Sequence, residues 1–173
     1  MAILKVLKEP NPILRTKSAP VENVTPELLK FMDDMIQTMY DIRGIGLAAN
    51  QVGKTQRFFV MDTADTRNGE KPNPIKLINP EITWRSDAFE NSEEGCLSVP
   101  YGYSTVKRHA EIEVTYISDK AKKITKRLDG LDAYCVQHEI DHLDGILFVD
   151  RLSPMKRKMI LKKSKKNMKL DEN

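Results

Sequence analysis

No stretch of the chain holds the roughly 20 consecutive apolar residues that a helix needs to cross a bilayer, so a helical membrane protein is not expected. The opening MAILKVLKEPNPIL lacks a long apolar core followed by a small-residue cleavage site. It is also not an Arg- and Ser-rich, acid-poor leader, so neither a secretory signal nor a transit peptide is read there and a cytoplasmic protein is expected. Cysteine is scarce, with only Cys96 and Cys135. They allow one disulfide at most. In a reducing compartment a metal-binding or catalytic use is the stronger reading for at least one of them. Neither an internal repeat nor a low-complexity linker divides the 173 residues, a length that suits one domain with a sizeable core.

The net charge is only +3, but it is uneven. Residues 151–173 carry nine Lys/Arg against two acids (+7), and the first 150 carry 19 against 23 (−4). The basic character therefore sits in the tail.

Hydrophobic periodicity outlines the elements. VTPELLKFMDDMIQTMYDIRG reads as a helix with Thr25 as its cap, Pro26 in its first turn and Gly44 as its stop. Leu28, Met32, Met35, Ile36 and Met39 share one face, as core residues would. RFFVMD (57–62) and IKLINP (75–80) read as strands joined by a polar loop, and EITWRSDAFENSEEG continues as strand and then turn. AEIEVTYIS (110–118) alternates cleanly, with Ile112, Val114 and Tyr116 facing one way, and KKITKRL (122–128) is its partner strand. LDAYCVQHEIDHL reads as a helix stopped by Gly145, and the segment after Ser153 and Pro154 as a last, basic helix over 153–170. Strands that follow one another without intervening helices predict an α+β fold with antiparallel β-sheets packed around the central helix, plus an N-terminal and a C-terminal helix.

The densest chemistry is in QHEIDHLDG, residues 137–145. On a helix, His138 and His142 stand one above the other and can reach one metal ion. Glu139 is one step round and can take a proton from a water held by that ion. Leu131 and Cys135 fall on the same face. The plain alternative is a pair of solvated or hydrogen-bonded surface histidines. A catalytic site of this kind needs three protein ligands and an open position. Beyond His142 there is no further histidine or cysteine, so a third ligand is sought upstream. Cys96 in EEGCLSVP is the obvious donor, next to Gly95, where the backbone can turn tightly. Its alternative is an ordinary buried cysteine. GIGLAANQVG (44–53) is the third distinctive stretch, readable by itself as a helix-to-strand turn.

Together these stretches closely resemble the motif set of the peptide deformylases. G-x-G-L-A-A-x-Q matches Gly44, Gly46, Leu47, Ala48, Ala49 and Gln51. E-G-C-L-S matches Glu94 to Ser98. Q-H-E-x-D-H-L-x-G matches Gln137, His138, Glu139, Asp141, His142, Leu143 and Gly145. The likeness spans residues 1 to about 150, so 1–173 is read as a single deformylase catalytic domain.

The resemblance implies removal of the formyl group from N-formylmethionine of newly synthesised polypeptides, releasing formate. Cys96, His138 and His142 would hold one divalent ion, with a metal-bound water as nucleophile and Glu139 as general base and acid. The side-chain amide of Gln51 and the backbone N–H of Leu97 would face the developing oxyanion. Leu131 and Cys135 would line the methionine pocket, with Ile45 and Gly46 near the substrate backbone and Gly95 beside it. Tyr103 is a further wall candidate, at a position where the family carries arginine. Glu94, Asp141 and Arg108 would orient the ligands from outside. Two imidazoles and a thiolate suit several metals. The resemblance favours Fe2+ in vivo, with Zn2+, Ni2+ or Co2+ able to substitute. A monomer is expected, with nascent chains as substrates and ribosome contact through the basic helix. Two rivals stand beside this: a general zinc peptidase with no need of Cys96, and a basic RNA-binding module with structural histidines.

Overall fold

A computed structural model describes residues 2–173. Helix α1 spans Pro26–Asp41, β1 Gly46–Ala48, β2 Phe58–Met61, β3 Ile75–Arg85, β4 Phe89–Cys96, β5 Val99–His109, β6 Glu111–Ile117, β7 Lys123–Asp129, α2 Gly130–Leu143 and α3 Pro154–Asp171. All strand pairing between them is antiparallel, in a five-stranded sheet ordered β1-β2-β3-β6-β7 and a separate β4-β5 hairpin.

The sheet is buried on both faces at β1 and β2, which is why β2 reads as unbroken FFVM rather than as alternation. Phe58 and Val60 join the cluster under α1, while Phe59 and Met61 join the cluster under α2. α1 packs through Met32, Met35 and Met39, all fully buried. Truncating any of these to Ala costs about 2–5 kcal/mol by lost burial and cavity formation. Thr25 caps α1 as expected, accepting from the Leu28 N–H at 3.1 Å. The stop differs. The helix ends at Asp41 and the left-handed residue is Arg43, not Gly44, whose N–H instead closes on Met39 O at 2.8 Å.

On β6, Ile112, Val114 and Tyr116 all face α2. A third cluster forms where β5 meets α3 and a 3-10 turn at Phe148–Arg151. α2 thus lies between the sheet and the hairpin. It ends where Gly145 has φ +78°, and a β-carbon there would sit 2.5 Å from Arg15 O, so only glycine fits. No described helix is long and apolar enough to cross a membrane.

β5 is the element that sequence reading passed over. Its inward positions Gly102, Ser104, Val106 and Arg108 do alternate with exposed ones, but only one is a large apolar residue.

Candidate metal centre

Three elements bring the site together. α2 supplies His138, Glu139 and His142, and the end of β4 supplies Cys96. A 3-10 helix over Ala49–Val52, directly after β1, supplies Gln51. The ligand atoms of Cys96, His138 and His142 lie within 4.8 Å of one another. Nε2 of His142 is 3.2 Å from Cys96 Sγ. Nδ1 of His138 meets Glu94 Oε1 at 2.8 Å, which leaves its Nε2 for the centre. The group stops at three donors among the described residues, as a catalytic rather than a closed structural site requires. A soft thiolate with two imidazoles fits a divalent transition metal.

Behind the three donors lies a buried ionic chain. Arg108 donates to both oxygens of Glu94, at 2.9 and 2.7 Å, and to Asp141 at 2.7 Å. Arg151 takes the other side of Asp141 at 2.7 Å. Burial alone would raise Glu94, but hydrogen bonds from Arg108 and His138 hold it down to about 2. The polar β4-β5 hairpin is explained by this chain, because its inner face carries Ser92, Glu94 and Arg108. Gln137 locks the hairpin to α2, accepting from the His109 N–H at 3.0 Å and donating to His109 O at 2.9 Å.

Glu139 is buried, and its Oε2 has no hydrogen-bond partner. Desolvation pushes its carboxyl up to about 7, although the charge of His138 pulls the other way. Gly46 lets it come close, since a β-carbon there would sit 2.5 Å from Glu139 Oε1 and 3.0 Å from Cys135 Sγ. Burial drives His142 well below the ordinary imidazole value, aided by the charge of His138. Burial would lower His138 too, but hydrogen bonds to Cys96 and Glu94 hold it high.

Cys96 and His138 open onto a cavity of about 740 Å³. Ile45, Gly46, Gln51, Gly95, Leu97, Tyr103, Leu131 and Cys135 line it together with Cys96, His138 and Glu139. Cys135 lies outside the three-donor group: its Sγ is 3.7 Å from Ile45 O, and burial and nearby carboxylates push its thiol well up. Leu131 is half exposed, so it stands at the mouth and not on the floor. Tyr103 is mostly exposed, its ring laid over Gly95, where a β-carbon would meet it at 2.7 Å. Gln51 is clamped by the Ala48 N–H to its Oε1 at 2.9 Å and by its own Nε2 to Ser98 Oγ at 3.1 Å.

Sequence reading named neither Ser98 nor Asn50 nor Arg151 for a role. Ser98 lies inside a quoted motif, Asn50 sits at a variable position of another, and Arg151 is hidden among the tail's charges.

Comparison with known proteins fits this geometry. The profile of the family described as polypeptide deformylase matches residues 3–158. The chain belongs to that family. A Phenylobacterium zucineum peptide deformylase is 48% identical over 169 residues, covering 98% of this chain and 99% of its own. A Legionella pneumophila peptide deformylase crystal structure superposes with a TM-score of 0.92 at 42% identity, covering 99% of both chains. An Ehrlichia chaffeensis peptide deformylase solved with actinonin gives 0.90 at 37%, covering 96% of this chain and 98% of its own. As a peptide deformylase, the protein is a metal-dependent hydrolase that removes the formyl group from N-formylmethionyl polypeptides, the nascent chains of protein synthesis.

Proposed function

We propose that Cys96, His138 and His142 hold one divalent cation, and that Glu139 is the general base and acid of deformylation. The observation that carries this is the convergence of three potential ligand atoms beside the buried Glu139 carboxylate, whose Oε2 has no hydrogen-bond partner. A divalent cation there supplies Lewis acidity, lowering the pKa of water and polarising the formyl carbonyl.

The chain's own groups do the rest. Glu139, buried beside the donors, takes the proton of the attacking water and returns it to the leaving amine nitrogen. The Gln51 amide, fixed through Ala48 and Ser98, has its nitrogen 3.7 Å from Cys96 Sγ. From there it donates to the formyl oxygen as charge develops, with the Leu97 N–H as second donor. Loss of one such donor typically costs about 10²–10³ in rate. Cys135 and Leu131 give the methionine side chain an apolar wall. Ile45, Gly46 and Gly95 flank the substrate backbone, and Tyr103 covers the mouth. Arg108, Glu94 and Asp141 hold the His138 ring in place.

The whole of 1–173 acts as one catalytic domain, monomeric and cytoplasmic, with 153–170 as a basic helix that touches the ribosome. Fe2+ is the working ion, and Zn2+, Ni2+ or Co2+ can replace it. An Acinetobacter baumannii peptide deformylase solved with Met-Ala-Ser bound, at 35% identity and a TM-score of 0.81, shows a tripeptide suited to the assay. The test is formate release from formyl-Met-Ala-Ser by anaerobically prepared wild type and Glu139→Gln. A fall of about 10²–10⁴ in kcat with metal content unchanged is expected. Equal turnover would refute the assignment. Iron-loaded protein is expected to outpace zinc-loaded protein, and equal rates would refute the choice of ion.

A further inference from the structure

Among the described residues, five buried side-chain polar atoms have no hydrogen-bond partner. Three of them surround the last turn of α2: Asn50 Oδ1, His142 Nδ1 and Ser18 Oγ. Two hydrogen bonds tie Asn50 and Ser18 to that turn. The Asn50 side-chain amide donates to His142 O. The Ser18 backbone N–H donates to Leu143 O at 2.7 Å. Asn50 and His142 are fully enclosed, and Ser18 is 3% exposed. Orphaned groups of this kind are costly unless something joins them, and internal waters characteristically link about three.

Their chemistry is complementary. The Asn50 amide nitrogen is turned to a carbonyl, and its unpartnered Oδ1 can only accept. His142 presents Nε2 toward Cys96 at 3.2 Å, and with Nε2 taken up by a metal the neutral ring carries its proton on Nδ1 and can only donate there. Ser18 can do either. The other ligand histidine already has its outer partner in Glu94, but His142 has none from the protein. A ligating imidazole almost always needs one to fix its tautomer and plane.

We propose that Asn50, with Ser18, builds an internal water site that accepts the Nδ1–H of His142, making Asn50 a positioning residue for the metal centre. The water accepts from His142, donates to Asn50 Oδ1 and shares its second proton with the Ser18 hydroxyl. The neighbours Asn50 and Gln51 then serve opposite sides of one site: Gln51 reaches toward Cys96 and Asn50 steadies His142 from behind.

This rests on His142 being a metal ligand. The test therefore uses zinc-loaded wild type, Asn50→Ala and Ser18→Ala, read by zinc transfer to a chromophoric chelator and by the NMR signal of the His142 imidazole N–H. Wild type is expected to show a slowly exchanging Nδ1–H. Both variants should lose that protection and hold zinc about 10–100-fold less tightly. Ser18→Ala keeps its backbone bond to Leu143, so it carries the test alone if Asn50→Ala does not fold. Its melting temperature decides further. Removing a hydroxyl that holds water should lower it, whereas removing an unsatisfied one should raise it. A raised melting temperature with unchanged zinc retention, or a His142 N–H that exchanges equally fast in all three proteins, would overturn the water site. Wild type that binds no zinc, or whose His142 signal ignores zinc, would overturn the ligand assignment beneath it.

Discussion

Gly46 shows how one missing β-carbon shapes chemistry. Only hydrogen occupies the space 2.5 Å from Glu139 Oε1, so the carboxylate lies against the β1 backbone. Gly46→Ala is expected to turn Glu139 aside and lower kcat about 10²-fold, since displacements near 1 Å cost that much. Steady-state kinetics on formyl-Met-Ala-Ser would show it, and a wild-type kcat would contradict it. Arg108 is a different case. Its guanidinium is buried between Glu94 and Asp141, at 2.7 Å from each. Arg108→Ala leaves buried Glu94 with only His138 and Asp141 with only Arg151, and should cost about 3–5 kcal/mol of stability by denaturant titration. It should also weaken metal retention about 10–100-fold. An unchanged unfolding midpoint and unchanged retention would rule this out. Residues with distinctive chemistry at fixed spacing, such as His138 and His142, were legible in sequence. Asn50 and Ser18 were not, because a small polar residue announces its partner only once the chain has folded.

At the scale of elements, β6 was legible from its alternation, α1 and α3 from their caps Thr25 and Ser153, and α2 from its stop at Gly145. β5 and much of β4 were not. Their inner face is polar because it carries the buried Ser92, Glu94 and Arg108, so the alternation lacks its apolar half. A second cross-element contact yields a pH prediction. Asp150 receives the Leu147 N–H at 2.9 Å, Arg157 Nε at 3.0 Å and the Arg15 guanidinium, tying α3 and the N-terminal segment to the turn before α3. Partial burial would raise its carboxyl, but these donors hold it below the ordinary value. A depressed folded-state pKa contributes stability that is complete above the unfolded value near 3.9 and is lost as pH falls through the folded one. Asp150→Asn should therefore be less stable than wild type above about pH 5, with the gap closing below about pH 4. Urea titrations at several pH values would test this, and a gap independent of pH would refute it.

For the whole molecule the unequal charge is the leading feature. The final 23 residues carry +7 and the rest −4, while α3 exposes Met155, Met159 and most of its lysines to solvent. A protein lacking 154–173 should lose salt-sensitive cosedimentation with ribosomes, and unchanged, salt-insensitive binding would count against a role for the helix. That tail flanks a centre assembled from three distant parts of the chain, and the sulfur is the part on which the rest depends. X-ray absorption at the metal edge of the loaded enzyme measures it most directly. One sulfur at about 2.3 Å with two nitrogens at about 2.0 Å is the expected first shell for zinc. A shell of nitrogen and oxygen alone would contradict the Cys96, His138 and His142 centre.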